Sequence, residues 1–412
     1  MKILLINHYA GSKKHGMEYR PFYLAREWVK LGHDVRIVAA SFTHLRTQAP
    51  TLTGEFTQEE IEGIQYIWLR TPGYQGNNLG RVFNIVTFVF QLLRYQSKLL
   101  ENFNPDVVIA SSTYPLDIYP AYQIAKRAQA KLIFEVHDLW PLTPIELAGM
   151  SPWHPYIMLL QQAENFAYQK SDRIVSMLPK ADSYMRSHGM AAHKFTYLPN
   201  SIDVEEWENS LAPLPRLHSE TIAQLKQLGH FLVCYAGSHG LANALYTLVD
   251  AAQLLQKEPV TFILVGQGAE KESLLQKAQQ LELKNIVFLP PVSRASLPAL
   301  LSQMDALFIG LKSQSLFRFG VSPNKLIDYM MAAKPVIHAI EAGNDLVAES
   351  GCGISIPAEN PGAIAQAVKQ LMQMTVNDRE LIGKKGREYV LKYHDCKVIA
   401  RQFIEVVQLD ET

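Results

Sequence analysis

The residues best suited to chemistry lie in Phe319-Gly320-Val321-Ser322-Pro323-Asn324-Lys325-Leu326-Ile327-Asp328-Tyr329. Ser322 reads as a helix N-cap and Pro323 as a first-turn proline, so the spacing predicts a helix with Lys325 in its first turn. The ammonium and the open amides of that turn face one space, and Asp328, three residues on, shares the face. A cation at a helix start, with a carboxylate one turn deeper, suits a diphosphate joined to a ribose diol. The bland alternative is a capped helix carrying a surface ion pair.

Two glycine turns should converge on the same edge: Gly237-Ser238-His239-Gly240 after strand Leu232–Ala236, and Gly266-Gln267-Gly268 after Val265. The first is expected to open a helix with apolar face Leu241, Leu245, Leu248 and Leu255. Nearer the amino terminus, Asn7–Arg20 holds Gly11 and Gly16 with Lys13, Lys14 and Arg20, a turn through which backbone could approach a ligand. Its glycines do not form a GxGxxG fingerprint. No acid follows the second strand, which ends Val38-Ala39-Ala40-Ser41, so a nicotinamide dinucleotide is disfavoured. Glu135-Val136-His137-Asp138 ends another strand, where His137 could meet a substrate hydroxyl and Asp138 fix its tautomer or accept from another hydroxyl.

These residues need strands to carry them. Short apolar runs alternate with helix-period segments along most of the chain, the pattern of parallel sheets flanked by helices. Strands are expected at Ile3–Ile6, Val35–Ala39, Ile64–Leu69, Val107–Ala110, Leu132–Val136, Arg173–Ser176 and Phe195–Leu198 in the first half. In the second they are Leu232–Ala236, Thr261–Val265, Ile286–Phe288, Ala306–Ile309, Pro335–His338 and Gly353–Ile356. Asn209–Ser219, with Ala-Pro-Leu-Pro-Arg, reads as the linker between two doubly wound domains. The expected division is 1–205, 206–390, and a carboxy-terminal helical segment, 391–412, able to pack back on the first domain. Ligands of such sheets bind at the strand carboxyl ends.

Composition narrows the class. Among 412 residues, 39 Lys and Arg balance 39 Asp and Glu, which argues against a dedicated nucleic-acid binder. Cys234, Cys352 and Cys396 lie far apart, giving neither a disulfide framework nor a zinc site. Four apolar residues at the start are too few for a signal peptide, and no apolar run approaches the ~18 residues of a membrane span. A cytoplasmic protein is expected. Residues 63–100 contain no acid but carry Arg70, Arg81, Arg94 and Lys98 around a very apolar helix. That helix is either core or a peripheral contact with an anionic membrane, with Phe88, Arg94 and Lys98 as expected contacts.

With Leu31-Gly32-His33-Asp34-Val35, Leu198-Pro199-Asn200-Ser201-Ile202-Asp203 and Tyr235-Ala236-Gly237, these segments resemble the family-4 retaining glycosyltransferases of the GT-B fold. The matching pieces span almost the whole chain in order. Gly-Val-Ser-Pro-Asn-Lys and Asp-Leu-Trp-Pro resemble the branch building bacterial O-antigen and capsule, including N-acetylfucosamine-type transferases. The resemblance implies two Rossmann-like domains facing across a cleft, and a nucleotide-sugar donor, usually a UDP-sugar, on the second. Gly237, Ser238, His239, Gly240, Asn324, Lys325 and Asp328 would hold the donor's diphosphate and ribose, with backbone near Pro291 and Val292 at the base. His137, Lys325 and Asp328 would carry catalysis; Gly11, Gly16, Arg20 and Asp138 would meet a lipid-linked saccharide acceptor. With no Asp-x-Asp motif, neither metal nor other cofactor is expected. Two departures stand out: Gly320 replaces the first acid of Glu-x7-Glu, and Ser238–Leu241 lacks the family's Arg and Lys, for which Arg318 could compensate. A catalytically degenerate scaffold homologue and a UDP-sugar epimerase are the alternatives.

Overall fold

The computed structural model describes residues 1–16, 19–76, 79–210 and 212–409. Met17 and Glu18 of the first turn lie outside them. The chain forms two compact units, Met1–Asn200 with Cys396–Thr412, and Ser201–Asp395.

In the first unit, β1 (Lys2–Ile6), β2 (Asp34–Ala40), β3 (Phe56–Ile61), β4 (Ile64–Leu69), β5 (Val107–Ala110), β6 (Lys131–Val136), β7 (Arg173–Ser176) and β8 (Phe195–Tyr197) form one sheet. Its order is β3-β4-β2-β1-β5-β6-β7-β8, parallel except where β3 pairs antiparallel with β4. The central strands are near-continuous apolar runs because helices cover both faces. β3 escapes the apolar pattern. Its sequence, Phe-Thr-Gln-Glu-Glu-Ile, is that of a half-exposed edge, closed onto β4 by Glu62 and Gly63 at φ 51° and 78°.

The unit boundary precedes the proline-rich stretch. Ile202 donates its N–H to His394 O and bridges Asp395, and Ile202 and Trp207 lie in the second unit's core. The chain therefore crosses between Asn200 and Ser201, and Arg216–Gln227 is helical. It returns between Asp395 and Cys396, where helix Val376–Tyr393 has ended and helix Cys396–Gln408 begins. This last helix completes the first unit's core: Trp28 Nε1 donates to Ala400 O at 3.0 Å, and its ring meets Phe403 edge-on at 5.2 Å.

Helix Leu79–Arg94 reverses an expectation. Phe88 is 0% exposed and packs on His8 at 4.8 Å between ring centroids, so it is a core residue and not a surface contact. Its polar neighbours face inward too. Asn84 donates to Pro72 O (2.6 Å), and Gln91 donates to Glu55 Oε2 (2.9 Å). What faces out is Leu79, Phe83, Val86, Phe90 and Leu93, spaced 4, 3, 4 and 3 along one stripe, with both phenylalanines at least 60% exposed. Arg94 and Lys98 are exposed as expected. Among the described residues no helix is long and apolar enough to cross a membrane.

The second unit contains β9 (Phe231–Ala236), β10 (Val260–Val265), β11 (Ile286–Leu289), β12 (Ala306–Gly310), β13 (Val336–Ala339) and β14 (Gly353–Ser355). The order β11-β10-β9-β12-β13-β14, all parallel, reverses direction beside β9, and a doubly wound sheet binds its ligands at such a switch point.

Candidate active site

At the carboxyl end of β9 the chain turns through Gly237 at φ +155°, and at the end of β10 through Gly266 at φ +153°. The turns are laced together: Gly237 N–H donates to Val265 O, His239 N–H to Gln267 O, and Glu270 N–H to His239 O, each at 2.9 Å. A Cβ on Gly266 would run into the carbonyl of Gly237. Gly266→Ala should therefore cost about 2 kcal/mol or more, seen as a lower urea midpoint, because both overpacking and a strained φ act against it.

The helix expected directly after Gly240 begins later. Leu241–Asn243 is a single 3-10 turn, Ala244 takes φ 49°, and the α-helix starts at Tyr246, so Leu241 is exposed. The turn instead presents Asn243, whose Nδ2 donates to Ser238 O at 3.0 Å. Tyr235 O–H donates to the same carbonyl at 2.6 Å. His239 is wholly buried, and burial, then Lys271 and Lys325, lower its pKa to about 4. It is neutral at physiological pH.

The helix carrying the lysine runs Asn324–Met331, one residue later than Ser322 and Pro323 imply, and its N-cap residue Pro323 supplies no side-chain bond. Its buried face, Leu326, Ile327, Tyr329 and Met330, sits in the unit's core. Tyr329 Oη bolts it to β9, accepting from Ala236 N (2.7 Å) and donating to Ala236 O (3.1 Å). Lys325 is thereby held against the first turn, donating to Tyr235 Oη at 2.6 Å and Asn243 Oδ1 at 3.1 Å. Its Cε would lie 2.6 Å from a Cβ on Gly237, so the glycine makes room for the lysine. Burial lowers the ammonium to about 8, while Asp328 opposes the shift. It stays mainly charged at neutral pH.

Asp328 comes one turn deeper, with both oxygens taken by a partner the sequence did not reveal. Arg294 Nη1 donates to Oδ2 at 2.5 Å and Nη2 to Oδ1 at 2.7 Å. Burial pushes the Asp328 carboxyl up, and Arg294, then Lys325, hold it back. Pro291 is exposed beside a pinned loop in which Pro290 O hydrogen-bonds His218 Nε2 at 2.8 Å, and Val292 packs on the core. Asn324 is exposed at the helix start. Arg318 turns onto its own segment, donating to Ser315 O at 2.6 Å and lying 4.2 Å over Phe319. Gly320 takes φ +101°, and Val321 is bracketed by Asn344 (Val321 N–H to Oδ1, 2.8 Å; Nδ2 to Val321 O, 3.0 Å). The missing acid thus coincides with a backbone that a β-carbon would strain.

The first unit gathers a second cluster. His137 Nε2 lies 3.0 Å from Ser111 Oγ, which donates to Glu135 Oε2 at 2.6 Å. Ser111 has one proton to give, so Nε2–H is the donor to it and a neutral His137 has its acceptor at Nδ1. Arg20 clamps Glu135 Oε1 from Nε (3.1 Å) and Nη2 (2.9 Å), and donates to Pro199 O and Leu198 O. Its guanidinium is buried and bonded to Glu135 and two carbonyls, so Arg20 organises this cluster. Burial would raise Glu135, but Arg20, with His137 and Ser111, holds the carboxyl well below the usual range. Asp138 is exposed directly beyond His137. Gly11 O accepts from Tyr66 O–H at 2.7 Å, and Gly16 (φ +71°) packs on Thr47. Tyr66 and Thr47, both outside the turn, thus hold its two glycines.

Residues 15–201 match the model described as glycosyl transferase 4-like domain, and residues 230–374 that described as glycosyl transferases group 1. The chain is 23% identical to "Putative colanic acid biosynthesis glycosyl transferase WcaI" of Escherichia coli (strain K12), over 93% of this chain and 94% of that protein. It is 20% identical to "Probable glycosyltransferase WbjE" of Pseudomonas aeruginosa, over 94% and 95%. The Anabaena HepE structure in complex with UDP and glucose superposes with a TM-score of 0.67 at 16% identity, covering 99% and 100% of the two chains.

Proposed function

Because the chain belongs to the GT-B glycosyltransferases that join a glycosyl transferase 4-like domain to a group 1 domain, we propose that it transfers a sugar, with retention, from a UDP-sugar to a lipid-linked saccharide in surface polysaccharide synthesis. The observation that carries this is the Lys325 site: a partly buried ammonium in the first turn of a helix and a carboxylate one turn on, at the switch point of a parallel sheet. Lys325 and the first amides of Asn324–Met331 would meet the charge that develops on the departing diphosphate. Asp328 would accept from the ribose diol. In this reading no divalent metal is needed, and a same-face displacement is assisted by the leaving phosphate. His137, fixed through Ser111, would position donor sugar or acceptor, with Asp138 beside it. The uridine assignment is supported by the UDP in the HepE complex, and surface polysaccharide by the colanic acid relative.

A thermal-shift screen of UDP-, GDP- and ADP-sugars, with and without EDTA, tests the donor site. Stabilisation by UDP-sugars that survives EDTA is expected. Failure of every nucleotide to stabilise the protein would overturn the reading. Product analysis without acceptor separates transfer from epimerisation, and the anomeric configuration of the product reports retention.

The reading places the protein at the cytoplasmic face of a membrane through the outward stripe of helix Leu79–Arg94, with Trp153 exposed in the same unit. Aromatic and leucine side chains bordered by Arg94 and Lys98, in a stretch without acids, suit an anionic bilayer. Phe83→Ser with Phe90→Ser should lower the partition onto phosphatidylglycerol vesicles, read by co-sedimentation, by roughly 10²–10³-fold, since about 2 kcal/mol of burial goes with each phenylalanine. The unfolding temperature should hold, because both rings are exposed. Phe88→Ser should instead destabilise the fold by about 3–5 kcal/mol. Unchanged vesicle binding in the double variant would refute the membrane contact.

A further inference from the structure

We propose that Arg294 is a positioning residue of the donor site: it holds the Asp328 carboxylate in the plane and charge state that lets it accept both hydroxyls of a ribose diol. This rests on the reading of Asp328 as the ribose acceptor.

Arg294 and Asp328 lie 34 residues apart, on different elements. The arginine stands on the 3-10 turn Arg294–Ser296, which is fixed at its start by Ser293 Oγ accepting from Ser296 N–H (3.2 Å). Ser296 Oγ donates to Pro213 O at 3.1 Å, and the guanidinium lies 5.7 Å from the Trp207 ring. This loop follows Pro291 and Val292, so one short segment carries both the expected base contact and the arginine. The acid is almost fully covered, whereas Arg294 is about half exposed and forms the outer side of the pair.

Two arrangements are conceivable when a nucleotide arrives. The diol could displace the arginine, or it could bind beside it. A carboxylate has about four acceptor sites and a bidentate guanidinium uses two, so two remain for the diol. Displacement would also strip a buried acid of its partner in exchange for two neutral hydroxyls. Geometry therefore favours a fork that stays. It fixes the plane of the carboxylate and leaves one lone pair on each oxygen, at the flanks of the fork, for the ribose.

The fork also favours the ionised form of the acid. The groups facing Asp328 are Arg294 from the loop, and Lys325 and Tyr329 from its own helix. Burial drives the carboxyl towards its neutral form; Arg294 is the largest force against this and Lys325 the second. A neutral carboxyl has one proton of its own and cannot accept from both hydroxyls as a carboxylate does. Without Arg294 the acid would protonate at a higher pH, so diol binding would fade as pH falls through the raised pKa.

The test measures binding of UDP-glucose and of its 2′-deoxyuridine counterpart by calorimetry at pH 7.5 and 5.5. The diphosphate diester does not titrate there, Lys325 stays mainly protonated and His239 stays neutral. Wild-type affinity should change by no more than about threefold, with UDP-glucose preferred at both pH values. Arg294→Met keeps the apolar stem near Trp207. It should weaken by roughly tenfold or more between pH 7.5 and 5.5 and lose the diol preference at pH 5.5. Arg294→Lys should restore much of the flat profile but not the full preference, because charge returns without the fork. Unfolding temperatures control for misfolding. A flat profile with intact preference in Arg294→Met would overturn the proposal while leaving the donor site standing, and tighter binding would show that Arg294 competes with the diol. No preference in the wild type would overturn the ribose reading itself, and no binding of UDP-glucose the UDP-sugar site; the proposal falls with either.

Discussion

Lys325→Met is expected to lower the rate of sugar transfer by about 10²–10³-fold, the usual loss when one preorganised charge is removed from a leaving-group site. The methionine keeps the buried stem beside Tyr235 while removing the ammonium that bonds Tyr235 Oη and Asn243 Oδ1. Stability should change little, because burial already disfavours that charge. Initial rates with UDP-sugar and acceptor, together with an unfolding curve, check both statements. The wild-type rate should also carry a basic limb. Burial brings the lysine to about 8, so the charged form that supports transfer is present below that value and fades as pH rises through it. This limb should be absent from the residual activity of the methionine variant. An unaltered rate in Lys325→Met would remove the central residue of the donor site.

Glu135→Ala should produce a large stability loss, about 3–5 kcal/mol, because it strands a buried guanidinium. Arg20 and Glu135 are at most 5% exposed, and Ser111 O–H loses its acceptor at the same time. Denaturant unfolding of the first unit reads the effect. Pairing Arg20→Met with Glu135→Leu should recover much of that stability, since two apolar side chains can replace a buried ion pair at little cost. Activity should not recover with it, because His137 would still lack the carboxylate that orders Ser111. The sign of the pH effect follows from Arg20 holding Glu135 below the usual range. The pair's contribution is complete above the ordinary glutamate pKa of about 4.3 and declines as pH falls below it. The alanine variant should therefore show a shallower loss of stability on acidification than the wild type. Equal acid slopes would count against the ion pair as a source of stability.

Much of this architecture is legible in the sequence, because buried parallel strands write themselves as apolar runs of four to six residues between helix-period segments. β3 is hidden for the converse reason: an exposed edge such as Thr-Gln-Glu-Glu has no apolar signal, and its two-residue turn uses Glu62-Gly63 in place of Asn-Gly. In the site, Lys325 and Asp328 show at helical spacing and the glycine turns mark the ends of β9 and β10. Arg294, Asn243 and Tyr235 are brought to them by the fold, and no local spacing announces an arginine 34 residues from its carboxylate. Arg20 misleads in the opposite way. A basic residue after a glycine turn suggests a ligand, yet its partner waits 115 residues on. The helix from Leu79 is ambiguous by composition: almost every side is apolar, and the inward face is chosen by Pro72 O and Glu55, which pair with Asn84 and Gln91.

The helix Cys396–Gln408 gives the molecule a particular order of assembly. The second unit is an insertion within the first, which is finished by a segment translated some two hundred residues after its last strand. On a ribosome releasing the chain from its amino end, the sheet of the first unit would wait with Trp28 uncovered while the whole second unit is made. The inserted unit, whose residues are contiguous, can close first. The same arrangement governs dissection. A fragment stopping at Asn200 carries every strand of the first sheet but leaves the surface against Ile399, Phe403 and Val407 bare, so an isolated first unit would need that helix grafted back through a short linker.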